Sequence, residues 1–258
     1  VGVGHSPTTR RWDGQPETSV GAWSILALRR AIEDAGVSPD QVDGLVLVPS
    51  TTTGASWQEG RPVPMDVVNT FNPTDDPLDG IGQLSAEWIL KNMPELSNVK
   101  FTMYAPICMS KAITTAAQAV GDGLTHTCLV VKSWHNLDGR YYQGGANSGD
   151  AIQGTGAINN LWGTPMSYGT ALQFAEYCRK YGKTHDMMAP FMSNSRRNGL
   201  MFPEGYWAQH RPEELTAEDY LSARWIAKPA NLFDNDIPIM VSAAYLFTTA
   251  ERASDMKQ

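Results

Sequence analysis

Apolar positions along the chain alternate between short continuous runs and stripes with helical spacing. Residues 45–48 read LVLV, a fully apolar run of the kind found in strands that are buried on both faces. Between residues 17 and 35 the apolar positions recur at helical spacing, which predicts a helix that ends at Gly36. The alternation continues with strands predicted at residues 99–104, 128–131 and 237–248, and helices at residues 81–91, 110–120, 171–181, 188–192 and 216–227. This order predicts an α/β layer with a largely parallel sheet.

Two stretches break the alternation. Residues 49–77 are rich in Thr, Gly, Pro and Asn, and they are too long and polar for an ordinary connection between two elements. Residues 135–164 contain many glycines and the local sequence GRYY at residues 139–142. Long irregular segments commonly carry binding residues or contact a partner, so we interpret residues 49–77 as either a binding loop or a segment that faces a partner. We expect residues 135–164 to be ordered only by packing against another part of the structure.

The composition narrows the class of protein. The chain has 258 residues, enough for one large domain or two smaller ones, and a net charge of −7 at pH 7. Nucleic-acid binding needs clustered Lys and Arg, which this sequence lacks, so we predict no nucleic-acid partner. The sequence contains neither a long apolar run nor a start typical of a signal peptide, which predicts a protein without a membrane span.

The spacing of the cysteines and histidines does not indicate a metal site. The three cysteines are spaced for neither a disulfide framework nor a zinc site, which favours a reducing, cytoplasmic compartment. None of the five histidines pairs with another His or a Cys at the ligand spacing of a helix, so we predict no metal site. We interpret Cys128 and Cys178 as core residues, and we expect Asp234 and Asp236 to fix a turn before the last strand.

Cys108 stands between a predicted strand and a predicted helix. A thiolate at a helix start is favoured by unpaired backbone N–H groups and by the positive end of the helix dipole. Cys108 is therefore a candidate nucleophile. The alternative is that Cys108 is a small buried apolar residue, and its position alone leaves both interpretations open.

Several segments resemble the thiolase-type lipid-transfer proteins, relatives of the thiolase domain of sterol carrier protein X within the thiolase superfamily. The most specific are TAEDYLSARWIAKP at residues 216–229 and FDNDIP at residues 233–238. Further matches are VGVG at the start, AIEDAGVSPDQVDGLV at residues 31–46, YGKTHDMMA at residues 181–189 and TTAERASDM at residues 248–256. The resemblance covers nearly the whole chain.

This resemblance implies the thiolase fold, in which two similar βαβαβαββ halves form a layered α/β core. The chain corresponds to the N-terminal half, with the core expected at about residues 1–135 and 232–258 and a loop domain at about 136–231. The C-terminal half, which in thiolases carries a His that activates the nucleophile and a second Cys, is expected to be absent from the chain. Members of the family usually form dimers, so a homodimer is expected.

The resemblance also assigns candidate site residues. Thiolases carry their nucleophile in the motif Cys-x-Ser/Thr-Gly, and residues 108–111 read CMSK, which keeps the Cys and the Ser and replaces the Gly. His135 and Arg140 lie in a segment similar to the family's loop beside the acyl-CoA site, and are expected to bind coenzyme A. In the steroid side-chain aldolases of the family tyrosines transfer the protons, which makes Tyr245 the candidate for that chemistry.

Three functions are consistent with the sequence. The first is a thiolase-like enzyme that cleaves or forms a carbon-carbon bond next to a coenzyme A thioester through Cys108. The second is a retro-aldolase that acts on a β-hydroxyacyl-CoA, such as a steroid side chain, through Tyr245. The third is a non-catalytic lipid-binding or complex subunit, since this branch often pairs with a small OB-fold or zinc-ribbon protein. No permanently bound cofactor is expected, and the coenzyme A thioester is the substrate.

Overall fold

A computed structural model of the chain describes residues 1–13, 15–48, 84–105, 109–134, 167–237 and 239–256. Both irregular stretches predicted from the sequence lie outside these residues. The chain divides into two compact units. The first comprises Val1–Tyr142 and Pro238–Gln258, and the second comprises Gln143–Ile237.

The strands of the described residues are β1 (Gly2–His5), β2 (Gly44–Val48), β3 (Phe101–Tyr104), β4 (Thr127–Trp134), β5 (Trp225–Ala227), β6 (Ala230–Asn231) and β7 (Val241–Thr248). The α-helices are α1 (Val20–Ala35), α2 (Ala86–Asn92), α3 (Met109–Gly121), α4 (Ser167–Tyr181), α5 (Ala189–Leu200), α6 (Tyr206–His210), α7 (Ala217–Ser222) and α8 (Ala250–Ala253). Helix α1 ends where predicted, because Gly36 adopts the left-handed conformation with φ of 66°.

The first unit is built on a five-stranded sheet with the strand order β1, β7, β4, β2, β3. Strand β2 pairs in parallel with both β3 and β4, whereas β7 pairs antiparallel with β4 and β1. Four strands therefore run in one direction, and β7 runs against them. The prediction of a largely parallel sheet is confirmed for β3, β2 and β4, whereas the sheet as a whole is mixed because β7 pairs antiparallel with both β4 and β1.

Helices cover both faces of this sheet. On one face, buried side chains of α1 and α2, such as Leu28 and Ile89, pack with Leu45 and Leu129 of the sheet. On the other face, Ala112 and Ala116 of α3 pack against Val46 and Val130. Because side chains of a strand alternate between its two faces, each central strand contributes to both clusters. The continuous apolar run of β2 is explained by this double burial.

Strand β1 lies unusually close to α1. Gly2 and Gly4 face the helix, and a Cβ atom at either position would fall inside contact distance of the carbonyl oxygens of Ala31 and Ala27, respectively. Gly2 and Gly4 of the strand and Ala27 and Ala31 of the helix are all small residues, so the backbones of β1 and α1 can approach each other closely. The VGVG segment at the chain start therefore sets the separation between this strand and this helix.

The described part of the second unit, from residue 167 onwards, contains the helices α4 to α7 and the two-stranded hairpin of β5 and β6. The helix predicted at residues 216–227 is too long. Thr216 caps α7 through a capping box with Asp219, as predicted, but the helix ends at Ser222 and the chain turns into β5. The apolar residues Trp225 and Ala227 belong to that hairpin, whose pairing with β6 outweighs their helical spacing.

Candidate active site

The carboxyl ends of β2, β3 and β4 meet at one edge of the sheet, because the three strands are parallel neighbours. Their last residues are Val48, Tyr104 and Trp134. In open α/β sheets ligands bind outside this edge, where the segments that follow the strands come together. Of the predicted site residues, Cys108, His135 and Arg140 lie outside the described residues and follow β3 and β4 in sequence.

The elements on either side of Cys108 are described. Strand β3 ends at Tyr104, Ala105 is buried against the sheet, and α3 begins at Met109. The predicted strand and helix are therefore both present, and Cys108 immediately precedes the first residue of the helix. This is the sequence position at which a helix N-terminus stabilises a thiolate.

Tyr245 lies on β7 and faces α3. Its backbone pairs with Val130 of β4 and with Val3 of β1. The half-buried side chain packs against the cluster under α3, which contains Val130 and Ala116. Within the described residues its hydroxyl makes no hydrogen bond.

Lys132 is a residue of this edge that the sequence analysis did not identify. It lies near the carboxyl end of β4, the central strand, and its side chain is half-buried. Its Nζ lies 4.5 Å from the centroid of the Trp134 ring, a cation–π contact. The sequence feature that could have identified Lys132 is its place inside the otherwise apolar segment CLVVKSW, because a lysine is unusual in a central strand.

A second group of titratable side chains lies within the second unit. The hydroxyl of Tyr220 donates to Oδ1 of Asp234 at 2.5 Å and lies 2.7 Å from Nε2 of His185. His185 Nε2 is in turn 2.8 Å from Oδ2 of Asp234. The Trp225 ring packs edge-on against the imidazole, with 4.8 Å between the ring centroids, and Phe174 packs against it from another side.

These contacts indicate a structural role for the Tyr220 group. Tyr220 is fully buried, and burial together with the neighbouring Asp234 carboxylate raises the pKa of its phenol, which keeps it a neutral donor. Asp234 also accepts the backbone N–H of Asn231 at 2.6 Å and so closes a turn, as predicted from the sequence. The three side chains join α7, the turn at His185 and the turn after β6.

The two described cysteines have different environments. Cys128 is fully buried in β4, and burial, with a contribution from the Asp43 carboxylate, raises the pKa of its thiol to about 12. Cys178 lies partly exposed on α4. The interpretation of Cys128 as a core residue is confirmed, whereas Cys178 is only partly buried. Among the residues that the structure describes, no group of three His, Cys, Asp or Glu side chains could hold a metal ion.

Comparisons with known proteins show similarity along the whole chain. The chain is 24% identical over 261 residues to a steroid side-chain-cleaving aldolase from Thermomonospora curvata, covering 99% of this chain and 58% of the relative. It is 25% identical over 264 residues to the 17-hydroxy-3-oxo-4-pregnene-20-carboxyl-CoA lyase of Mycobacterium tuberculosis, covering 100% of this chain and 59% of that protein. The chain thus spans less than two thirds of these relatives. No protein-family profile matches it.

Solved structures identify the fold. The Ltp2-ChsH2(DUF35) aldolase superposes with a TM-score of 0.71 at 20% identity, over 99% of this chain and 56% of that chain. A monomeric SCP2-thiolase-like protein from Mycobacterium smegmatis superposes with a TM-score of 0.58 at 14% identity, over 99% of this chain and 46% of that chain. The chain has the thiolase fold.

The two sequence relatives and the aldolase structure confirm the resemblance that the segments at residues 216–229 and 233–238 indicated. Helices are packed on both faces of one sheet, as the thiolase fold requires. None of the helices in the described part of the chain is long and apolar enough to cross a membrane.

Proposed function

We propose that the protein is a carbon-carbon lyase that acts on a β-hydroxyacyl-CoA, by retro-aldol cleavage next to the thioester. The observation that supports this most strongly is that both curated relatives, aligned over nearly the whole chain, are an aldolase and a CoA lyase. The substrate named for the lyase carries a 17-hydroxyl group and a carboxyl-CoA at carbon 20. A bulky, polycyclic β-hydroxyacyl-CoA is therefore the proposed substrate class.

The proposed reaction conserves all atoms of the substrate. The β-hydroxyl loses its proton and becomes a carbonyl, while the bond between the α and β carbons breaks. The electron pair of that bond enters the thioester as an enolate, which is then protonated at the α carbon. The products are a ketone and a shortened acyl-CoA. Tyr245 is the proposed proton-transfer group, because its hydroxyl lies on the α3 face of the sheet without a protein partner among the described residues.

The second candidate function is thiolysis through Cys108. The position of Cys108 between β3 and α3 favours this reaction. The thiolate would attack the β-keto carbon, an acyl-enzyme would form as the carbon-carbon bond broke, and coenzyme A would release the acyl group. The two functions differ in whether the cysteine becomes covalently bound to substrate.

Substitutions of Cys108 and Tyr245 distinguish the two reactions. The purified full-length protein is incubated with a tertiary β-hydroxyacyl-CoA, or with a β-ketoacyl-CoA and free coenzyme A, and the products are measured by mass spectrometry. For a lyase, Cys108→Ala keeps the cleavage of the β-hydroxyacyl-CoA, and Tyr245→Phe lowers it about 100-fold or more. Loss of activity in Cys108→Ala alone would assign thiolysis instead.

Binding of the coenzyme A moiety is proposed for His135 and Arg140. A guanidinium group matches the geometry of phosphate oxygens. Both residues follow β4 in the sequence, and in such sheets ligands bind outside the carboxyl ends of the strands. The first unit would then supply the reacting groups, and the second unit would correspond to the loop domain. No permanently bound cofactor is proposed, since the thioester itself activates the α carbon. Arg140→Ala is expected to raise the KM for the CoA thioester.

We propose that the protein forms a homodimer through β3. This strand lies at the edge of the sheet and pairs only with β2 among the described strands, and Met103 and Tyr104 are 41% and 45% exposed. Exposed edge strands with apolar side chains are templates for pairing with another chain. Met103→Lys should lower the mass measured by light scattering to that of a monomer, and Leu172→Lys in the second unit should not.

A partner subunit is proposed as a further component, because the aldolase of similar structure is a complex of two named proteins. If the chain is inactive alone and gains activity with a co-purified small protein, the subunit takes part in the site. If a binding-only role were correct, no cleavage would be observed in either preparation. The free thiols of Cys128 and Cys178 support a cytoplasmic location.

A further inference from the structure

Lys132 lies on the same sheet face as Tyr245 and close to the edge at which β2, β3 and β4 end. It pairs with Val48 of β2 on one side and with Ala243 of β7 on the other, so it occupies the middle of the sheet. Its side chain is half-buried. A half-buried ammonium in a central strand costs desolvation free energy, which the interactions of Lys132 within the protein offset in part.

The direction of the Lys132 side chain is fixed by its neighbour Ser133. The Ser133 hydroxyl is buried on the α1 face, 2.6 Å from the hydroxyl of Ser24 and 2.7 Å from that of Ser242. Since neighbouring residues of a strand point to opposite faces, Lys132 and Trp134 must point to the α3 face. The contact between the Lys132 ammonium and the Trp134 ring is consistent with this direction.

The pairing register brings Lys132 within reach of Tyr245. Val130 is the direct partner of Tyr245, and Lys132 is two residues further along β4, which makes it a diagonal neighbour of the tyrosine. Diagonal neighbours on one face are separated by roughly 7 Å at the backbone, a distance that long side chains span. Lys132 is the only lysine or arginine that the five described strands of this sheet place on the α3 face; His5 and Cys128 are the other titratable neighbours of Tyr245 there.

We propose that the Lys132 ammonium binds the thioester oxygen and stabilises the negative charge that develops there when the carbon-carbon bond breaks. This inference rests on the proposed lyase function and adds a catalytic residue to it. In the cleavage step, the electron pair of the broken bond moves into the thioester and its oxygen becomes negatively charged. A fixed cation beside that oxygen acts on the enolate more strongly than on the neutral substrate, which accelerates the reaction. Tyr245 and Lys132 would thus act on the two ends of the breaking bond.

The test measures kcat and KM of the full-length protein with two substrates, a β-hydroxyacyl-CoA and its N-acetylcysteamine thioester, which carries no phosphate. Lys132→Met is expected to lower kcat about 100-fold with both substrates and to change KM little. Lys132→Arg keeps the charge and should recover part of the rate. Lys100→Met removes an exposed lysine next to the opposite end of β3 and should leave kcat unchanged.

A second measurement reports enolate formation directly. The wild-type protein should exchange the α protons of the product acyl-CoA with deuterium from the solvent, and Lys132→Met should slow this exchange as much as it slows cleavage. Lys132→Gln serves if the Met variant does not fold. A rise in KM for the CoA substrate alone would mean that Lys132 binds phosphate, and an unchanged kcat would also overturn the proposal. If the wild type neither cleaves nor exchanges, either alone or together with the co-purified small protein, the lyase function itself is refuted.

Discussion

The carboxylate of Asp43 accepts the backbone N–H of Thr127 at 2.8 Å, and thereby joins the residue before β2 to the first residue of β4. The same carboxylate accepts the Thr125 hydroxyl at 2.5 Å and the backbone N–H of His126 at 2.9 Å. Partial burial acts to raise the pKa of Asp43, but the hydrogen bonds from Thr125, Thr127 and His126 outweigh it and lower the pKa to about 2.

Replacement of Asp43 by Asn should therefore destabilise the protein in a pH-dependent way. A folded-state pKa below the ordinary value of 3.8 means that the stabilisation is complete above about pH 4 and is lost as the pH falls towards 2. At pH 7 the variant should lose about 2 kcal/mol of unfolding free energy, and the difference from the wild type should shrink between pH 4 and pH 2. Urea titrations at several pH values in this range measure the difference in unfolding free energy between the variant and the wild type. The same change at the exposed Asp122 should cost much less, and a pH-independent difference would contradict the assignment.

The elements that the sequence predicts well are those whose apolar pattern fits only one kind of secondary structure. In α1 the apolar positions at helical spacing are Ile25, Leu28, Ile32 and Ala35; the last three are buried, Ile25 is partly buried, and β2 is buried along its full length. The end of the helix predicted at residues 216–227 could not be found in this way. Trp225 and Ile226 are apolar in either a helix or a hairpin, and only their pairing partners in β6 decide between the two.

The candidate site is harder to predict, because its members are brought together by pairing between distant segments. Tyr245 was identified through the family resemblance. Lys132 gains significance only when the register with β7 is known. The group of His185, Tyr220 and Asp234 has spacings of 35 and 14 residues, which no helical or strand period relates. A search for histidines at helical ligand spacing therefore passes over it.

Loss of the Tyr220 hydroxyl should destabilise the second unit. Tyr220→Phe keeps the ring but removes the hydroxyl that donates to Asp234 and contacts His185. Removing one partner from a buried hydrogen bond to a charged group costs about 1 to 3 kcal/mol. Thermal unfolding followed by circular dichroism measures this loss. Tyr177→Phe, at an exposed position of α4, is the matched control and should change the unfolding midpoint little.

A methyl group at Gly4 should be poorly tolerated. Its Cβ would fall inside contact distance of the Ala27 carbonyl oxygen and the Ala31 nitrogen, so β1 and α1 would have to separate. Overpacking of this kind costs about 1 to 3 kcal/mol or more. Gly121→Ala is the control, because a Cβ there meets no atom within 4 Å and alanine favours a helix. Denaturant titration should show Gly4→Ala destabilised and Gly121→Ala equal to or more stable than the wild type; equal stability of the two variants would contradict the close packing.

Alkylation of the cysteines should separate buried from accessible thiols and provide a background for any test of Cys108. Cys128 is fully buried and the pKa of its thiol is raised to about 12, so very little reactive thiolate exists at pH 8. Iodoacetamide should therefore modify Cys178 of the folded protein and leave Cys128 unmodified until urea unfolds the chain, as read by peptide mass spectrometry. Rapid modification of Cys128 without denaturant would show that β4 opens in the native state.

Incubation with an acyl-CoA extends the same measurement, because a thiolase accumulates an acyl group on Cys108 and a retro-aldolase leaves all three thiols free.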